Sequence, residues 1–288
     1  MEYGLKDKVV LINGATGGIG QALVKKFAAE GCKLAISSTS QAKLDAFVPT
    51  LGLGKDRLAT FVADVTEEEQ VKAFVDGAEK YFGHIDTVIP NAGYEGEYQL
   101  IQDATIESYM AVYKVNVFGV MFLLKYAAPY LISQGHGSVV VIASNGSYTT
   151  AAGMSAYCSS KHACAGIAKS VALELGPHGI HCNYICPGGV DTPMSIFRLL
   201  NEYKVEQLTD TKVVGITDAG VEVETAEGRR VLPADVIVSA FGQAQSLELA
   251  DAVQNKYPTK TTIIGDCMKP AKAGNAIREG FYAAMSLQ

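Results

Sequence analysis

Asn13-Gly14-Ala15-Thr16-Gly17-Gly18-Ile19-Gly20 stands directly behind an apolar, β-branched run at 9–13 and directly ahead of a helical pattern. Strand, glycine-rich turn and helix in that order form the arrangement in which backbone amides at a helix N-terminus face a diphosphate. Glycine permits positive φ and close approach of the backbone. The helix adds unpaired N–H groups and the positive end of its dipole. The spacing is Gly-x-x-x-Gly-x-Gly rather than the more common Gly-x-Gly-x-x-Gly. The stretch predicts a dinucleotide site built from Gly14, Thr16, Gly18, Ile19 and Gly20.

Outward from this turn the same rhythm continues. Short apolar runs at 33–37, 58–63, 87–90, 138–143 and 181–186 are separated by helix-compatible segments. Continuous apolar strands alternating with helices predict a parallel sheet covered on both faces, an α/β, Rossmann-like, doubly wound architecture. The segment 109–132 is apolar nearly all round, and 156–175 is rich in small residues. Helices without a polar face are buried, either by their own domain or by a second subunit.

The chain has 288 residues and a net charge of −6, which argues against nucleic acid or an anionic membrane surface as partner. No secretory signal is read at the start, no run is read as long enough to span a membrane, and the expected location is cytoplasmic with reduced thiols. Cys182-x-x-x-Cys186 lacks a second ligand pair, so no metal site is expected.

Strand C-terminal ends are where open α/β sheets bind ligands. The second strand runs into Ser38 and Thr39, where an acidic residue would hold the ribose hydroxyls of NAD. Hydroxyls tolerate a 2′-phosphate, which favours NADP over NAD, although a plain polar loop has the same composition. Asp64 and Val65 follow the third strand. Asp64 either contacts the adenine or caps the next helix. Asn91, Ala92 and Gly93 follow the fourth.

Tyr157 and Lys161 lie four residues apart in a predicted helix and share one face. An ammonium and a cationic nicotinamide both favour the phenolate and pull its pKa down toward neutrality, which suits Tyr157 to general acid/base work. Ser144 ends the fifth strand, where its hydroxyl reaches a substrate oxygen. Asn116 falls inside the apolar helix, where a buried amide needs partners; it bends the helix or holds a water. Tyr94, Glu95, Tyr148, Met154 and Met194 are candidates to line a substrate pocket.

Residues 5–194 resemble a classical short-chain dehydrogenase/reductase. The glycine stretch resembles the family's Thr-Gly-x-x-x-Gly-x-Gly loop, with Asn13 in place of Thr. Asn91-Ala92-Gly93 matches its Asn-Ala-Gly turn, and Asn116, Ser144, Tyr157 and Lys161 fall where the family has its catalytic tetrad. Pro187-Gly188-Gly189-Val190-Asp191-Thr192 matches its Pro-Gly-x-x-x-Thr segment. The resemblance implies hydride transfer between NAD(P) and a secondary alcohol or ketone, with Tyr157 as acid/base and Ser144 orienting the carbonyl. It implies that Lys161 lowers the phenol's pKa and grips the ribose, and that Asn116 holds a relay water. It implies that Pro187, Gly188, Val190 and Thr192 lie at the nicotinamide, and that the chain is a homodimer or homotetramer.

The pattern changes after Met194. Alternating, Gly-punctuated runs at 213–231 predict a small antiparallel meander. A strand at 235–240, a helix at 247–254, a strand at 261–264 and a helix at 273–285 follow. Residues 198–288 resemble the end of a flavoprotein pyridine-nucleotide reductase, as joined to old-yellow-enzyme-like enoate and dienoyl-CoA reductases. The carriers are Ala234-Asp235-Val236-Ile237-Val238-Ser239-Ala240-Phe241-Gly242 and Gly265-Asp266-Cys267. The opening half of such an FAD domain is missing, so FAD is not expected. The chain reads as a fusion of a domain at 1–194 and a segment at 195–288, whose strand at 262–264 completes the sheet. The competing reading is a nucleotide-binding protein without turnover.

Overall fold

The computed structural model describes residues 4–188, 190, 204, 206 and 208–234. The chain divides into two compact units, Met1–Gln207 and Leu208–Gln288.

In the first unit the elements run β1 (Val9–Ile12), α1 (Gly18–Ala29), β2 (Lys33–Ser38), α2 (Gln41–Phe47), β3 (Leu58–Val62), α3 (Glu68–Phe82) and β4 (Thr87–Ile89). Then come α4 (Ile106–Tyr113), α5 (Gly119–Gln134), β5 (Gly137–Ile142), α6 (Ser155–Leu175) and β6 (Ile180–Ile185). The six strands pair in parallel in the order β3-β2-β1-β4-β5-β6, the doubly wound sheet that the alternating runs predict. Chain order reverses between β1 and β4, so their C-terminal ends open a crevice.

The central strands read as unbroken apolar runs because each face is covered. Val10, Ile12, Leu34 and Ile36 pack with Val24 of α1 and Leu44 of α2. Leu11, Ala35, Val88 and Val139 face the other way, against Phe74 of α3 and Leu123 of α5. Each of the Val, Leu, Ile and Phe side chains among them, removed wholly from water, contributes about 1.5–3 kcal/mol.

The apolar helix read at 109–132 is not one regular helix. A π-helical stretch, Lys114–Phe118, joins α4 to α5, with Asn116 at its middle and wholly buried. The combined run Ile106–Gln134 is long and apolar enough to cross a membrane, with a mean hydropathy of 1.5. This corrects the reading that no stretch reaches that length. Here Val117, Val120, Leu124, Ala127 and Leu131 of this run are buried within the protein.

The second unit carries the predicted meander: β7 (Lys212–Thr217), β8 (Gly220–Thr225) and β9 (Gly228–Leu232), antiparallel in that order. Val223 is its buried side chain among the described residues. The elements expected at 235–240, 247–254, 261–264 and 273–285 lie outside the described residues, as do Asp266 and the proposed completion of the sheet.

Candidate active site

The glycine loop is shaped by close approach. Gly14 has φ +59°, and a Cβ there would lie 2.8 Å from Ala92 Cα. A Cβ on Gly20 would lie 2.3 Å from the Gly14 carbonyl oxygen. Gly17, at φ −80°, precedes α1 without a side-chain cap, so no side chain of the loop takes up the first N–H groups of the helix. A tight backbone cradle ending on an uncapped twelve-residue helix fits the diphosphate of a nicotinamide dinucleotide.

The loop is pinned to the turn after β4 by a residue that the motif reading names only as a replacement. Asn13 is buried, and its Oδ1 accepts from both Asn91 N and Ala92 N at 2.7 Å. Asn91 answers through Nδ2, which donates to the carbonyls of Asn13 and Gly14, each at 3.0 Å. Asn91 is therefore a brace across the crevice. A single side-chain oxygen two residues ahead of an Ala-Thr-Gly turn was the signal available for Asn13.

At the end of β2, Ser38 is buried and shares a 2.7 Å hydrogen bond with the Thr16 hydroxyl of the loop. Thr39 is exposed. Asp64 does not cap α3, whose N-cap is Glu67 with no side-chain bond; the Asp64 Oδ1 accepts from both N and Oγ1 of Thr66, closing the turn ahead of that helix. Val65 beside it is buried, and a Cβ on Gly119 would strike it at 2.9 Å.

The acid/base candidates converge at Gly146. A Cβ on that residue would lie 3.4 Å from Ser144 Oγ, 3.4 Å from a ring carbon of Tyr157 and 3.5 Å from Cys158 Sγ. Ser144 follows β5 and is oriented locally, accepting from Gly146 N at 3.1 Å. One turn along α6 from Tyr157, Lys161 is 3 % exposed and places Nζ 5.8 Å from the phenol ring centroid. Its ammonium donates to the Ile142 carbonyl at 3.1 Å, and its own carbonyl accepts from Ser147 Oγ at 2.7 Å. A Cβ on Gly93 would lie 3.5 Å from Lys161 Nζ. A continuous line of contacts thus runs from the glycine loop through residues 91–93 to Lys161.

Burial pushes Tyr157 above the ordinary tyrosine range, and the neighbouring Ser144 hydroxyl offsets only part of it. Burial also holds Lys161 below the ordinary amine range. The reason is desolvation: both groups lie where a charged form loses more hydration than its neighbour returns.

Asn116 does more than bend a helix. Its Nδ2 donates to Tyr94 O and Ser160 Oγ, both at 2.9 Å, and its Oδ1 accepts from Tyr94 N at 2.8 Å. Ser160 in turn donates to the Tyr157 carbonyl at 2.6 Å. Both amide hydrogens are spent on protein acceptors, which leaves one lone pair of Oδ1 for a water. Ser147 and Ser160 escaped the sequence reading, because nothing in a helix or turn pattern distinguishes a bonded serine from a solvated one.

Pro187 accepts from Asn145 N at 2.8 Å, which ties the end of β6 to the Ser144 segment. Gly188 and Val190 are exposed, and Thr192 lies outside the described residues.

Residues 8–202 match the family model of the short chain dehydrogenases. The chain is 36 % identical over 193 residues to zerumbone synthase of Zingiber zerumbet, covering 67 % of this chain and 72 % of that protein. It is 37 % identical over 190 residues to levodione reductase of Leifsonia aquatica, covering 65 % and 71 %. Among solved structures, NAD+-bound xylitol dehydrogenase superposes with a TM-score of 0.64 at 32 % identity, over 70 % of this chain and 78 % of that one. ElxO with NADP bound gives 0.65 at 26 % identity, over 71 % and 81 %.

Proposed function

The chain belongs to the short-chain dehydrogenase/reductase family, NAD(P)-dependent oxidoreductases of alcohols and ketones, and on that premise we propose that Tyr157 is its proton donor and acceptor. The observation that carries this is the convergence of Ser144 and Tyr157 at Gly146, with Lys161 one turn on and in line with the glycine loop. Bound along that loop, a nicotinamide dinucleotide supplies or accepts the hydride.

In reduction the Tyr157 hydroxyl gives its proton to the carbonyl oxygen that becomes the alcohol; in oxidation the phenolate takes that proton back. Ser144 donates a hydrogen bond to the same oxygen and fixes its orientation. Lys161 holds a positive charge beside the phenol, stabilising the phenolate that burial alone disfavours. Asn116 acts as a clamp that sets the 93–95 segment against α6.

The test is nicotinamide oxidation with a panel of ketones. Tyr157→Phe should lower turnover by roughly 10²–10⁴-fold, the ordinary worth of a positioned proton donor, while NADPH binding, read by fluorescence titration, persists. Turnover within a few-fold of wild type in that variant would refute the assignment.

Three finer readings accompany it. NADP is the preferred cofactor, supported by the Thr16–Ser38 hydroxyl pair where a carboxylate would repel a 2′-phosphate; kcat/KM for NADPH against NADH tests it. The chain is a homo-oligomer joined through the helices that leave Met110 and Met121 exposed; light scattering of the purified protein tests it. The part of 198–288 beyond the family match, which ends at residue 202, derives from a flavoprotein reductase, supported by its sequence at 234–242 and 265–267. It has no flavin role, so the purified protein should show no flavin absorbance.

A further inference from the structure

The Ser144 hydroxyl carries one proton, and in this structure a neighbour holds it. Ser144 Oγ accepts from Gly146 N and donates to Asn145 Oδ1, each at 3.1 Å. A hydroxyl has a single O–H to give. For Ser144 to donate to a reacting carbonyl, that proton must leave Asn145, and the Asn145 oxygen then loses its donor.

Asn145 is not free to move away with the change. It opens the three-residue turn Asn145–Ser147 directly behind Ser144. Its N donates to Pro187 O at 2.8 Å, which ties it to the end of β6. Its carbonyl accepts from Thr149 N and Thr149 Oγ1, both at 2.9 Å. The backbone is thus fixed on both sides while the residue itself is exposed. A ligand lying on Ser144 therefore meets a carboxamide oxygen held 3.1 Å from the serine hydroxyl.

We propose that Asn145 is a specificity-determining residue: its Oδ1 accepts a hydrogen bond from a hydroxyl on the carbon next to the reacting carbonyl, so the enzyme favours α-hydroxy ketones over simple ketones and, in the reverse direction, vicinal diols over simple alcohols. The inference rests on Ser144 and Tyr157 holding the reacting oxygen.

Counting protons decides the substrate class. A simple ketone takes the Ser144 proton and returns none, so Asn145 Oδ1 is left without a donor beneath the bound substrate, a loss set against every hydrogen bond gained. A second carbonyl beside the first has no proton to offer either. An adjacent hydroxyl donates to Oδ1 in place of Ser144 and keeps the number of bonds constant. The backbone ties of Asn145 hold that acceptor at the site before the substrate arrives, so little ordering is needed on binding.

The experiment measures kcat/KM for reduction of acetoin and of butanone, the same carbon skeleton with and without the adjacent hydroxyl. The native enzyme should prefer acetoin by roughly tenfold or more, and Asn145→Ala should lower the acetoin-to-butanone ratio roughly tenfold, the scale of one net hydrogen bond. The two substrates should move in opposite directions: acetoin weakens through KM, and butanone gains because Ser144 no longer has to part from a rival acceptor. Asn145→Asp keeps an acceptor in the same place and should retain the preference; its added charge acts on both ketones alike and cancels in the ratio. A ratio in Asn145→Ala within about twofold of native, or an equal fall for both ketones, overturns the proposal while Tyr157→Phe still stops turnover. Should the Ala variant fail to fold, the native enzyme and Asn145→Asp still decide, since equal kcat/KM for the two ketones in either overturns it. If Tyr157→Phe keeps turnover, it is the acid/base reading that has failed.

Discussion

Asn13 is the residue whose loss this structure predicts most sharply. Its single side-chain oxygen serves two partly buried N–H groups, at Asn91 and Ala92. Asn13→Ala removes two hydrogen bonds, each with a net worth of about 0.5–1.5 kcal/mol, and strands donors whose desolvation goes uncompensated at about 1–3 kcal/mol each. Partial rescue by water at the crevice side brings the sum to about 3 kcal/mol. For a domain of this size, that is a melting temperature lower by about 6–12 °C. The same change frees Asn91, which holds the Gly14 carbonyl, so the loop loses its register and NADPH affinity should fall roughly tenfold, or about 1.4 kcal/mol. Asn13→Thr keeps one acceptor and should recover more than half of the stability. Urea unfolding read by circular dichroism, with a parallel NADPH fluorescence titration, measures both quantities. If Asn13→Ala unfolds within 0.5 kcal/mol of wild type, using the ordinary error of small surface changes as the yardstick (about ±0.5 kcal/mol), the bracing argument is wrong.

Other outcomes follow from the same packing. Gly20→Ala puts a methyl 2.3 Å from the Gly14 carbonyl, so α1 must shift off the loop; a loss of about 1–3 kcal/mol and of cofactor binding is expected by the same two assays. Ser38→Asp places a carboxylate beside Thr16, and the ratio of kcat/KM for NADPH over NADH should fall at least about tenfold. Asp86 is buried, and although burial pushes its carboxyl up, the Val9 N–H and the Lys8 ammonium outweigh it and hold it below the usual range. A lowered carboxylate contributes fully above the unfolded value near ~3.9 and loses that contribution as pH falls through the folded one. The stability gap between wild type and Asp86→Asn should therefore be constant at neutral pH and close in acid, as followed by urea midpoints from pH 7 to pH 3; a gap that widens in acid contradicts the sign.

The sheet was legible because burial on both faces leaves a local signature: six apolar runs, each recovered within a residue or two of its strand. The glycine turn was legible for the same reason, since a backbone that must approach another backbone excludes a Cβ at Gly14 and Gly20 wherever it occurs. Tyr157 and Lys161 could be paired from spacing alone, because helical periodicity is local. Three things were decided only by the tertiary structure. The Asn13–Asn91 brace spans 78 positions in the chain. The Asn116 clamp depends on a π-helical stretch that no apolar pattern announces. The protonation balance of Tyr157 turns on how deeply both it and Lys161 are desolvated. Periodicity and steric exclusion are written within a few residues of each other. Hydrogen-bond partners and hydration are set by what the rest of the chain brings alongside.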